Sequence, residues 1–216
     1  MFGRICLPRA GPAHPGLDGL RPGKFRADHA EARTASVFAG ACHYNGELVS
    51  DGREALLGWR FETGSFLDVE LAGLSLAALI VDDQNLGLEP HSRRSVLYVP
   101  NKAGPREREA LVLWAKATQA DVLGVVLDVR VLALTVAVDA ESFALTAQGA
   151  FEVRGTALPD RACCKMPYQV WYTPFESGVR GRLVGLDECF DVVEPLLERR
   201  WSRPGENAAF FGPFQR

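Results

Sequence analysis

A single α+β domain is the fold class this sequence predicts for residues 31–216: a mainly antiparallel sheet, one principal helix near residues 105–118, and an irregular C-terminal third. Three observations predict it. Short β-branched or alternating runs such as EALLGWRF, RRSVLYV and AFEVRGTAL sit between turn signals. One segment, PREREALVLWAKATQ, has apolar residues at helical spacing, and the last third is broken up by prolines.

Residues 1–30 are rich in Pro and Gly and carry scattered basic residues. Ordering such a stretch costs entropy that few apolar contacts offset, so it reads as a flexible leader in which Cys6 is incidental. It also lacks the apolar core of an export signal, and the sequence predicts a cytoplasmic protein. From Glu31 the pattern becomes extended, and Asn45-Gly46 is a hairpin signal because a type I′ turn needs positive φ at both central residues. Cys42 and His43 then lie beside a turn.

EALLGWRF reads as a strand and DVELAGLSLAALIVDD as a well-buried one; RRSVLYV follows after the polar loop Asp83 to Ser92, and all three are expected in one sheet. In the helical segment Pro105 suits the first turn, Glu107 and Glu109 complement the positive end of the dipole, and Leu111, Trp114 and Thr118 share a face with Ala110 and Ala117. VVLDVRVLALTVAVDA, a turn at DAES, then FALTAQ and AFEVRGTAL make an antiparallel meander. The final third keeps enough aromatic side chains, among them Trp171, Tyr172, Phe175, Phe210, Phe211 and Phe214, to close a core or line a pocket. No linker or internal repeat divides residues 31–216.

A hydrophobic fraction of 47% suffices for a buried core, and a net charge of −3 without a run of Lys or Arg gives no footprint for nucleic acid. No stretch approaches the roughly 20 apolar residues that cross a bilayer, and the longest greasy run carries Asp128 and Arg130. Neither nucleic acid nor membrane is therefore an expected partner. The phosphate-cradling, dinucleotide-binding, zinc-protease and elbow-serine motifs are all missing.

Chemistry is suggested instead by the pair Cys163-Cys164 in ACCKMPYQVWYTPF, with Cys42, His43 and Met166 as further soft or borderline donors. Thiolate and imidazole suit zinc, and thiolate with thioether suits copper(I). Adjacent side chains on an extended chain point to opposite faces, so both sulfurs reach one ion only where the backbone turns; Pro159 and Pro167 bracket the pair and permit that. An odd total of five cysteines argues against a disulfide framework. Neighbouring Cα atoms about 3.8 Å apart also fit badly with the roughly 4.4 to 6.8 Å that disulfides require. Free cysteine is among the most buried residue types, so packing is the competing explanation of the pair. Asp82, Asp83 and Asn85 lack the EF-hand spacing and read as capping and turn residues.

Taken together, ASVFAGACHYNGELVSDGREALLGW, RRSVLYV, EREALVLWAKA, ACCKMPYQVWYTPF and GENAAFFGPF resemble a bacterial family known as domain of unknown function 1326, over about residues 30–216. The resemblance implies a cysteine-based role and no particular reaction, substrate or cofactor. Many relatives have a further cysteine shortly upstream, where this chain reads Ala35-Ser36-Val37, so Cys42 would have to recruit Cys163 or Cys164. The leading expectation is an accessory protein that binds zinc or copper(I) through Cys42, Cys163 and Cys164, with His43 or Met166 completing the shell. A thiol-dependent redox protein or enzyme, and a small-molecule or partner-binding module whose cysteines only pack, are the alternatives.

Overall fold

The computed structural model describes residues 24–39, 52–158, 169–170, 173–176 and 183–215. The strands are β1 (Arg26–Arg33), β2 (Phe38–Ala39), β3 (Glu54–Thr63), β4 (Ser65–Phe66), β5 (Val69–Glu70), β6 (Ser75–Val81) and β7 (Arg94–Pro100). The helices α1 (Pro105–Thr118) and α2 (Ala120–Leu123) follow. Next come β8 (Val125–Leu132), β9 (Leu134–Val138), β10 (Ser142–Ala147), β11 (Phe151–Ala157), β12 (Gln169–Val170), β13 (Leu183–Glu194), β14 (Arg199–Ser202) and β15 (Ala209–Gln215).

This corrects the α+β expectation: the protein is mainly β, built on one nearly closed, barrel-like sheet. The strand order is β8-β7-β6-β3-β1-β15-β13-β11-β10-β9, with β14 paired to β13. Its two outermost strands, β8 and β9, are consecutive in the chain with only Ala133 between them. A single bent stretch thus pairs with β7 through its first half and with β10 through its second. The β7–β8 pair is parallel, and α1 supplies the crossover that parallel neighbours need.

Closure gives the sheet two buried surfaces. On the inner one, Ala30, Leu56, Leu79, Val96 and Tyr98 face Val136, Phe143, Leu145, Phe190 and Phe211. Gly58 of β3 marks a close approach, because a Cβ there would stand 2.3 Å from Leu145 Cδ2. On the other surface α1 covers Leu57, Trp59, Phe61, Leu76 and Leu97 with Leu111 and Trp114. Trp114 meets Phe61 edge-on at 4.9 Å between ring centroids, a favoured aromatic geometry. The helix begins where Pro105 takes N1 and the Gly104 N–H donates to Glu107 Oε2 at 2.6 Å.

Two regions depart from the sequence reading in position. Strand β1 starts at Arg26, inside the stretch expected to be leader, and lies between β3 and β15 in the middle of the sheet. Its extended character is hidden because alternate positions carry His29, Glu31 and Arg33, all buried, where hydropathy expects apolar residues. The irregular C-terminal third is likewise corrected, since β13 to β15 span much of residues 183–215. Pro213 misleads there. Among the described residues β15 pairs with β13 only from Ala209 to Phe211, so no described strand needs an N–H from Pro213 on that side.

Candidate functional site

Buried charge collects at the end of the sheet where β1 finishes. With a side-chain period of two, His29, Glu31 and Arg33 project from one face of β1, the face that also carries Ala27 toward α1. His29 Nε2 lies 3.4 Å from Glu31 Oε2, and Arg33 donates to Glu31 Oε1 from its terminal nitrogen at 3.1 Å and from Nε at 3.3 Å. Burial pushes the Glu31 carboxyl up, but Arg33, His29 and a backbone amide outweigh it and hold the group below the ordinary carboxylate range.

That amide belongs to residues 173–176, which lie over the ladder. The Phe175 N–H donates to Glu31 Oε2 at 2.9 Å, and Arg33 donates to the Thr173 carbonyl at 2.8 Å. The Arg33 guanidinium stacks 4.0 Å from the centre of the Phe175 ring, with Arg93 at 5.5 Å. Beyond it the Gln119 amide donates to Glu176 Oε2 at 2.6 Å, tying the stretch to the C-terminal end of α1.

Asp82 organises the adjoining loop. It accepts N–H bonds from Gln84, His91 and Ser92 at 3.3, 3.2 and 3.1 Å and pairs with the buried Arg93 at 3.5 Å. Burial raises its carboxyl, while these donors and Arg93 prevail and lower it. This is the capping and turn role expected of the residue.

The same end carries the small ribbon formed by β2 and β12, in which Ala39 opposes Gln169 and Phe38 opposes Val170. Backbone bonds from Val37 to the Asn207 carbonyl at 2.8 Å and from Leu158 to the Val184 carbonyl at 2.9 Å fix the chain next to it. All five expected ligands, Cys42, His43, Cys163, Cys164 and Met166, lie outside the described residues, as do Trp171, Tyr172 and the Asn45-Gly46 turn. Among the described residues no group of three or more His, Cys, Asp or Glu side chains is arranged to hold a metal ion. Of the expected aromatic residues, Phe210, Phe211 and Phe214 are core residues, and Phe175 packs on Arg33.

One cysteine, Cys189, falls within the described residues, half-buried on β13. Its thiol lies 3.2 Å from Asp191 Oδ2, and burial together with that carboxylate pushes the thiol up, which makes it a poor nucleophile at neutral pH. Next to Cys189, toward the C-terminal end of β13, an open concavity of about 1010 Å³ spreads over β9 to β11, β13 and β14, edged by Thr135, Glu152, Asp191, Arg200 and Trp201.

The Glu31–Arg33 ladder and its cover escape a sequence reading, since RADHAEAR looks like a solvated run. The period-two spacing of His, Glu and Arg is the one signal that points to a shared face. No family model, curated protein or solved structure matches the chain. The resemblance to the domain of unknown function therefore rests on the quoted segments alone.

Proposed function

We propose that the protein is an accessory binder of a soft metal, zinc or copper(I), held by Cys42, Cys163 and Cys164 with His43 or Met166 completing the shell. One observation supports this reading more than any other, the antiparallel pairing of β2 with β12. Cys42 follows the paired residue Ala39 by three positions, while Met166, Cys164 and Cys163 precede its partner Gln169 by three, five and six. At about 3.5 Å per residue these are short tethers, about 10 Å and 20 Å at most, from two points that are themselves hydrogen-bonded neighbours. The donor set is of the kind that zinc and copper(I) prefer.

The ladder has a supporting part in this proposal. Residues 173–176 follow β12 closely and are anchored by Glu31, Arg33 and Gln119, so the thiol-bearing segment returns to a fixed point. No helix among the described residues is long and apolar enough to cross a membrane. The reading is of a cytoplasmic protein whose unpaired thiols stay reduced.

Elemental analysis of protein purified anaerobically under reducing conditions tests the proposal. Near-stoichiometric zinc or copper is expected in the wild type, and its loss in Cys42→Ser. Metal-free protein whose melting temperature does not move on adding zinc or copper(I) would sink it.

A further inference from the structure

Five acidic side chains are buried among the described residues: Glu31, Asp82, Glu176, Asp187 and Glu194. Four have donors. Glu31 accepts from Arg33 and the Phe175 amide, Asp82 from three backbone amides, and Glu176 from Gln119. Glu194 accepts from Tyr98, from the Leu196 amide and from Arg130. Asp187 is the exception: its residue is 0% exposed, and neither Oδ1 nor Oδ2 has a hydrogen-bond partner.

A backbone clasp places a second acid beside it. The Asp187 N–H donates to the Glu206 carbonyl at 2.8 Å, and the Gly205 N–H donates to the Asp187 carbonyl at 2.5 Å, closing the chain on itself. Gly205 takes a φ of +83°, which favours glycine at this turn. The clasp lies where β13 slips in register against β11, Gly155 pairing with Asp187 and Arg154 with Cys189. Such irregularities commonly re-aim side chains next to functional positions. In Glu206, Oε1 accepts from Arg203 Nε at 2.8 Å, whereas Oε2 is buried with no partner.

Three carboxylate oxygens, on two acids that the clasp joins backbone to backbone and whose charges act on each other, thus have no donor. A buried carboxylate left unpaired is costly, and two things relieve it, a proton or a cation. A proton shared by the two acids would engage only two of the three oxygens, whereas a divalent cation takes all three. We propose that Asp187 Oδ1 and Oδ2 together with Glu206 Oε2 form a binding site for a hard divalent cation of the calcium or magnesium kind. All-oxygen donors select such ions, and water or backbone carbonyls complete their shells. Glu206, about a quarter exposed in its side chain, marks the way in. The site is separate from the thiols in both ligand type and residues.

Thermal unfolding of the full chain, freed of metal by a chelator and dialysed, tests it with calcium chloride and magnesium chloride as probes. The melting temperature of the wild type is expected to climb with the logarithm of cation concentration, as binding to the folded state alone requires. Asp187→Asn is expected to fold, since its amide needs no counter-charge, and to lose that response; Glu206→Gln is expected to weaken it. Cys42→Ser is expected to keep it, so that failure here and failure of the soft-metal proposal are told apart. A wild-type melting temperature unmoved by either ion up to about 10 mM, above the range of the weakest calcium modules, overturns the site. So does an Asp187→Asn variant that responds like the wild type.

Discussion

Replacing Gly58 by alanine puts a methyl group where the two layers of the folded-over sheet touch. Its Cβ would lie 2.3 Å from Leu145 Cδ2 and 3.2 and 3.3 Å from the two Val136 methyls. Carbon atoms rest about 3.5–4.0 Å apart, so the Leu145 methyl has to retreat by more than about 1 Å and Val136 by a few tenths. Leu145 is fully buried in a close-packed interior, which leaves it a strained rotamer or a separation of the layers. Overpacking of this kind costs about 1–3 kcal/mol. Against it stands the gain from removing a strand glycine, about 0.5–1 kcal/mol. The net expectation is a loss centred on about 1 kcal/mol and reaching about 2.5 kcal/mol, read as a lower midpoint in urea at unchanged slope. Leu145→Ala alone is expected to cost about 2–5 kcal/mol through the cavity it leaves. The double variant should cost less than the sum, by about 1 kcal/mol, because the new methyl fills part of that cavity. If Gly58→Ala is stabilising, or the two changes simply add, β9 and β10 do not lie across β3 and the closed sheet is refuted.

Two further outcomes follow from the buried charges. Glu31→Gln leaves the Arg33 guanidinium buried without its carboxylate and should cost about 3 kcal/mol, the low end for a broken buried pair, because the Thr173 carbonyl and the Phe175 ring still hold it. The Glu31 carboxyl sits below its ordinary value of 4.5, so its contribution is full above that value and is lost as pH falls through the folded-state pKa. Acid unfolding monitored by far-UV circular dichroism should accordingly flatten in the variant; an unchanged profile would count against the ladder. Asp187 has the opposite sign: burial first, and Glu206 second, push its carboxyl well above 3.8. Its contribution is full below 3.8 and is lost, at up to about 1.4 kcal/mol per pH unit, as pH rises through the folded-state pKa. In chelator at neutral pH, Asp187→Asn should therefore melt higher than the wild type, and a lower melting temperature would show that the carboxylate has a donor after all.

Much of the local structure is legible in the sequence. Pro105, Glu107 and the spacing of Leu111 and Trp114 announce a helix that spans Pro105–Thr118. The turn at DAES joins β9 to β10 in a run of three successive antiparallel strands, β9 to β11. The clustered oxygens at Asp82 read as a turn and serve as one. Each of these signals acts within a few residues, through caps, backbone preferences and side-chain periods.

The candidate site was far less legible. Cys42, His43, Cys163, Cys164 and Met166 stand out because their side chains are chemically unusual wherever they lie. Glu31, Arg33 and Asp187 do not, because a carboxylate or guanidinium in sequence looks like solvated surface until something covers it. What covers Glu31 and Arg33 is a segment about 140 residues away, Thr173 to Phe175.

By itself, then, the sequence determined the helix, the antiparallel run β9 to β11, the turns at DAES and Asp82 and the inventory of soft donors, since those depend on neighbours along the chain. Tertiary structure alone decided that the sheet curls until β8 and β9 stand at its two edges, that β1 runs through its middle, and that Asp187 is sealed in without a donor. Those outcomes rest on pairings between residues far apart in sequence, such as Ala30 with Phe211 and Gly155 with Asp187. Local propensity carries no information about such partners, and burial, which sets the meaning of every charge in this protein, is settled only when they meet.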